Sequence, residues 1–137
     1  MFKGSFCALV TPFKAGRFDE EAFRRLARRQ IAAGTDGLVP CGTTGEVPTL
    51  DAAEHLAVIR AAVEEAKGRV PVVAGVGTNC TLKTVHQVEA VLPLKPDAFL
   101  VTVPYNNRPS QEGLYLHFKA VASAARRPVV VYNIPGR

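Results

Sequence analysis

Residues 5–13 read SFCALVTPF, and the way this apolar run ends decides the fold. Its aromatic and β-branched content predicts a buried strand. A dinucleotide-binding fold places a glycine-rich phosphate turn directly after its first strand. Here the strand gives way to Thr11-Pro12-Phe13 instead. A later run, VPVVAGVG at 70–77, does supply Gly75 and Gly77, but Cys80 stands where G-x-G-x-x-G needs its last glycine.

Outward from that first run the pattern repeats. DGLVPCG (36–42), VPVVAGVG, DAFLVTVP (97–104) and PVVVYNIP (128–135) follow at intervals of about thirty residues, the size of one βα unit. Nearly continuous apolar character within each run is that of parallel strands covered on both faces. Helical patterns with readable ends lie between them. Asp19 caps EEAFRRLARRQIAA, which Gly34 closes; Asp51 and Glu54 form a capping-box pattern ahead of a helix ending near Gly68. Ser110 caps QEGLYLHFKAVASAA, which stops before Pro128. Four βα units and a fifth strand begin both a doubly wound sheet and a (β/α)8 barrel. The missing glycine turn favours the barrel. Since a barrel takes about 250 residues, the expectation is the N-terminal half of a TIM barrel, one partial catalytic domain over residues 1–137.

Composition narrows the function classes. A chain of 137 residues with 47% hydrophobic content supports one core. No apolar run reaches bilayer-spanning length, and the first residues lack a secretory pattern, so a cytoplasmic protein without membrane contact is expected. The net charge of +5 would suit an acidic partner. Much of it, however, sits on one helix face (Arg24, Arg25, Arg28, Arg29) without interleaved aromatics, which argues for a solvated face and against nucleic-acid binding. Cys7, Cys41 and Cys80 show no C-x-x-C spacing, so reduced thiols are expected. His55, His86 and His117 fall in helical segments without metal-ligand spacing, so no metal is expected.

Barrel enzymes gather their reactive groups where strands end. Those ends here are polar or glycine-rich: Thr11-Pro12, CGTTGE (41–46), GVGTN (75–79), PYNNRPSQEG (104–113) and YNIPGR (132–137). In CGTTGE, Gly42 and Gly45 let the backbone aim amides at an anion beside the hydroxyls of Thr43 and Thr44. No Lys-Ser/Thr follows, so a small carboxylate fits better than a nucleotide triphosphate. The competing reading is an ordinary βα turn whose threonines satisfy nearby backbone. Tyr132 either presents its hydroxyl to the mouth for proton transfer or packs as a plain aromatic. Arg137 either clamps a carboxylate or sits in solvent. Tyr105 is a rim residue or an oligomer contact.

CGTTGE, PYNNRPSQEGLYLHF (104–118) and YNIPGR, in this order, closely resemble the dihydrodipicolinate synthase family, one of the pyruvate-dependent class I aldolases and lyases. The likeness runs along the whole chain. It implies condensation of pyruvate with L-aspartate 4-semialdehyde in lysine biosynthesis, through a lysine Schiff base and without a cofactor. Thr43 and Tyr132 match two members of the family's proton relay, Thr44 a pyruvate-carboxylate contact, and Arg137 the clamp on the aldehyde's carboxylate. A homo-oligomer, dimer or tetramer, is implied, because the third relay member is a tyrosine lent by a neighbouring subunit. Asn106 follows Tyr105 at that position, and an amide cannot relay a proton as a phenol does.

The resemblance also puts the Schiff-base lysine on the strand after YNIPGR. Of the lysines in this sequence only Lys14 lies in a loop on the suitable side, and a flexible FKAGRF turn would not desolvate it. The chain therefore reads as a half-enzyme, inactive alone. Another pyruvate-dependent lyase, or a non-catalytic half-barrel that assembles through open sheet edges, are the other readings. In lysine-inhibited relatives an effector pocket lies near Asn79, His55 and Tyr105. Lys83 and Ala52 replace the usual acid and a histidine there, which implies weak inhibition by lysine.

Overall fold

The computed structural model describes residues 2–134; Arg137, with the Pro135-Gly136 turn before it, lies outside them. The first apolar run contributes a short strand, β1 (Phe6–Ala8). The following segment is not a flexible turn. β2 (Phe13–Lys14) and β3 (Arg17–Phe18) pair as an antiparallel hairpin around Ala15 (φ +52°) and Gly16 (φ +75°). Two central residues with positive φ make the tight turn that matches strand twist. Phe18 then packs edge-on against Phe23, with ring centroids 5.7 Å apart.

The remaining elements alternate: α1 (Glu20–Ala32), β4 (Gly37–Val39), α2 (Ala52–Ala66), β5 (Val73–Val76), α3 (Thr81–Val91), β6 (Ala98–Thr102), α4 (Gln111–Ala125) and β7 (Val129–Tyr132). Their starts follow the capping rules read from the sequence. Asp19 accepts from the Ala22 amide at 2.9 Å, Ser110 from Gly113 at 3.1 Å, and Asp51 and Glu54 close a reciprocal capping box. Each such cap stabilises a helix by about 1 kcal/mol.

β1 pairs with β4 in parallel register (Phe6 with Gly37, Ala8 with Val39), while β5, β6 and β7 form a parallel ladder. A bridge between Leu38 and Val72, and the Gly75 amide donating to the Pro40 carbonyl at 2.9 Å, join the two sets. The spatial order is therefore β1-β4-β5-β6-β7, the order of the chain. A doubly wound sheet would reverse at a switch point, and no reversal occurs among the described strands.

Side chains alternate between two faces. Phe99 and Val101 are fully buried in the core with Phe23, Val58, Ile59, Val88 and Val121 of the helices. The opposite face carries Phe6, Val39, Val73, Leu100 and Val130, which with Phe2 line an apolar hollow of about 270 Å³. Burial on both faces holds for β5 but not for β7. Val131 is 51% exposed and Tyr132 38%, because β7 is an edge strand among the described residues.

The arginine face of α1 also departs from a purely solvated one. Arg24 bridges Glu20, Glu64 and Glu65, and Arg28 holds Glu65 at 2.9 Å, so α1 clasps α2. Arg28 first, then Arg24, hold the Glu65 carboxyl below the usual range. Among the described residues no helix is long and apolar enough to cross a membrane.

Candidate active site at the strand C-termini

The turn after β4 is shaped by one strained residue and one close approach. Cys41 has φ +56°, a conformation most side chains avoid. Its carbonyl lies against Gly75 so tightly that any Cβ there would overlap it. Behind Gly75, His55 of α2 is buried, and its Nε2 lies 2.9 Å from the Gly75 carbonyl oxygen. Donation to that carbonyl requires the Nε2–H tautomer. Burial depresses the His55 pKa, partly offset by this hydrogen bond, so the ring stays neutral near pH 7.

Residues Thr43–Gly45 then make a single 3-10 turn, with the Gly45 amide on Gly42 and the Glu46 amide on Thr43. Thr11, buried at the end of the first apolar run, donates its hydroxyl to the Gly45 carbonyl at 2.7 Å. The hydroxyls of Thr11, Thr49 and Thr78 are all engaged with backbone. Those of Thr43 and Thr44 make no hydrogen bond to the described residues, and both residues are exposed. Of the two, Thr43 lines both hollows at the strand ends and Thr44 lines neither.

Across the sheet, Tyr132 of β7 is the register partner of Thr102 of β6. Thr43 and Tyr132 line one small recess with Gly77 and Thr102. A larger adjoining cavity of about 420 Å³ shares Thr43, Gly77 and Thr102 and adds Tyr105, Asn106 and Gln87. The structure thus brings Thr43, Tyr132, Tyr105 and Asn106 to one mouth. Asn106 has φ +70°, which an asparagine tolerates better than most residues. Asn79 sits to the side, its carbonyl accepting from Asn107 Nδ2 at 2.6 Å. His55 lines a separate groove of about 310 Å³ between α2 and α3, with Ala52, Lys83 and His86.

No buried nucleophile faces this mouth among the described residues. Lys3, Lys14, Lys67, Lys83, Lys95 and Lys119 are all exposed, and none lines the cavity or its recess. A nucleophilic lysine needs burial or a cationic neighbour, and none of these is buried. Burial pushes the Cys41 thiol up to about 12, which removes it as a nucleophile. Among the described residues no cluster of His, Cys, Asp or Glu has the makings of a metal site.

Sequence reasoning overlooked Thr84, Gln87 and Thr102. The amides of Gly77 and Thr78, just past β5, have no ladder partner. They donate to Gln87 Oε1 at 3.0 Å and to Thr84 Oγ1 at 2.9 Å. The available signal was that a strand exit must satisfy its backbone N–H groups. Two polar residues spaced i, i+3 on the next helix are the natural source.

Comparison with known proteins agrees with this fold. The 4-hydroxy-tetrahydrodipicolinate synthase of Rhodopseudomonas palustris (strain BisA53) is 58% identical over 136 residues, covering 99% of this chain and 46% of that protein. That of Pelobacter propionicus is 53% identical over 137 residues, covering 100% and 47%. The chain thus spans about half the length of the curated relatives it matches. The solved 4-hydroxy-tetrahydrodipicolinate synthase of Methylacidiphilum fumariolicum SolV superposes with a TM-score of 0.97 at 41% identity, over 100% of this chain and 46% of that one. Dihydrodipicolinate synthase from Aquifex aeolicus gives 0.95 at 48%, over 99% and 46%. The fold is therefore the N-terminal half of a TIM barrel, with strand order as described above. The model of the Dihydrodipicolinate synthetase family matches residues 1–137, and the chain belongs to that family.

Proposed function

We propose that these residues form the relay-bearing half of a 4-hydroxy-tetrahydrodipicolinate synthase. The substrates of the complete site are pyruvate and L-aspartate 4-semialdehyde. The observation that carries this reading is the meeting of Thr43 and Tyr132 in one recess, where, among the described residues, the Thr43 hydroxyl has no partner and no lysine lines the mouth.

In this reading a lysine amine outside the chain condenses with the pyruvate ketone, forming the imine and releasing water. Loss of a methyl proton gives the enamine, whose carbon attacks the aldehyde and forms the new C–C bond. The substrate's amino group then adds to the imine carbon and expels the lysine, closing the ring. Thr43 and Tyr132 pass the protons these steps release and require. Thr44 meets the pyruvate carboxylate, and Arg137 holds that of the aldehyde. Tyr105 and Asn106 face a neighbouring subunit of a homo-oligomer, and the 137 residues are part of one catalytic barrel. His55 and Lys83 border an effector groove that Asn79 does not line, and there the Lys83 ammonium repels a lysine ligand.

The test is a chimera joining residues 1–137 to the C-terminal part of the Rhodopseudomonas palustris relative. Condensation of the two substrates by the chimera, and none by the 137-residue chain alone, is expected. Turnover by the isolated chain, or a folded but inactive chimera, would refute the proposal.

A further inference from the structure

Gln87 lies on α3, an element that carries none of the residues assigned above to chemistry. It nevertheless borders both the cavity at the strand ends and the groove between α2 and α3. Val47 and Leu50 are the other residues shared by the two hollows, so the three side chains form the partition between them. Its carbonyl end is committed, with Oε1 accepting the Gly77 amide at 3.0 Å. That bond holds the first residue after β5, where the ladder with β6 has ended at Val76 and Val101.

Gly77 is placed for consequence. Its φ of +130° is rarely adopted by other residues, and a Cβ there would meet Thr102 Cγ2 at 2.9 Å. The Gly77 backbone therefore rests directly on Thr102, the register partner of Tyr132. A continuous set of contacts runs from Gln87 through Gly77 and Thr102 to the tyrosine.

We propose that Gln87 is a positioning residue: by holding the Gly77 amide it sets the wall of the keto-acid cavity and keeps that cavity separate from the helix groove. The proposal rests on reading the cavity as the substrate site. Gln87 touches no reacting group, so its loss acts on the shape of the cavity, hence on substrate binding more than on the chemical step.

Two variants test this in the chimera with the Rhodopseudomonas palustris C-terminal part. Gln87→Met keeps length and removes the acceptor, while Gln87→Glu keeps an acceptor oxygen. In Gln87→Met the Gly77 amide should exchange with solvent about tenfold faster, with Ala74 and Phe99 unchanged, as expected for loss of one local hydrogen bond. Gln87→Glu should restore the protection. The KM for pyruvate should rise about tenfold in Gln87→Met with kcat within about twofold. Unchanged Gly77 exchange, equal acceleration at Ala74 and Phe99, or an unchanged KM would overturn the inference. A parent chimera without turnover counts against the proposed function instead, and the exchange measurement then decides the role of Gln87 alone.

Discussion

The Nε2 of His55 lies 2.9 Å from the carbonyl oxygen of Gly75 within the core, tying the second helix to the strand that backs the CGTTGE turn. Gly75 in turn packs on the left-handed Cys41. A histidine on a helix is thus linked, through Gly75 and Cys41, to the turn that carries Thr43.

Replacing His55 by leucine leaves the Gly75 carbonyl without its partner. An unsatisfied buried acceptor costs about 1–3 kcal/mol. Urea unfolding followed by circular dichroism should register a loss in that range. A shift below about 0.5 kcal/mol, the usual scatter of neutral substitutions, would show that the bond contributes little.

Gly75→Ala should be harsher. The added methyl collides with the Cys41 backbone, which has no rotamer by which to yield. Overpacking of side chains costs about 1–3 kcal/mol and more when backbone must move. The same unfolding measurement should find at least about 3 kcal/mol lost, and a wild-type midpoint would contradict the close approach.

Acid should weaken the fold in two stages. His55 and His117 are both held below the ordinary histidine value by burial, so the unfolded chain takes up protons first. Stability is then fully present above about pH 6.5 and falls as the pH drops from there toward the depressed values. The Glu65 carboxyl, lowered by Arg28 and Arg24, adds a further loss below its ordinary value of about 4.5. Unfolding free energies should be level from pH 7.5 to about 6.5 and decline below it toward pH 4; a rise between pH 6.5 and 5 would show that the buried rings gain rather than lose by protonation.

The proposed relay groups can be separated from binding groups by kinetics on the chimera. Thr43→Val and Tyr132→Phe each remove one hydroxyl while keeping shape. Loss of a general acid–base group lowers kcat by about a hundredfold or more. Parent-like kcat in both variants would remove Thr43 and Tyr132 from the proton path.

Asn106 offers the reverse experiment. Introducing tyrosine there supplies the phenol that the family resemblance leads one to expect from a neighbouring subunit. The left-handed backbone (φ +70°) resists a bulky side chain by about 1 kcal/mol. Asn106→Tyr should therefore raise kcat while lowering stability slightly, and a fall in kcat would exclude a relay through this position.

Much of this was legible in residue order. The caps at Asp19, Asp51 and Ser110 stand where their side chains predict, because capping is a local interaction of a few residues. The Thr11-Pro12 ending and the failed glycine fingerprint pointed to a barrel, and the unreversed strand order agrees. The hairpin at Lys14 and the exposure of β7 were missed. The first rests on Ala15 adopting positive φ, for which alanine carries no signal. The second depends on what lies beside a strand, which its own apolar pattern does not encode. His55 and Gln87 gave no hint of their roles, since each serves a backbone group supplied by a strand distant in sequence. The arginine face likewise gained its partners, Glu64 and Glu65, only when two helices met.

The central claim, that this chain carries relay groups but not the amine, is tested most directly by borohydride reduction in the presence of pyruvate, read by mass spectrometry. The 137-residue chain should emerge unmodified. The chimera should gain one reduced keto acid per chain, on a lysine beyond residue 137. A stoichiometric adduct on Lys14 or any other lysine of the isolated chain would contradict the claim.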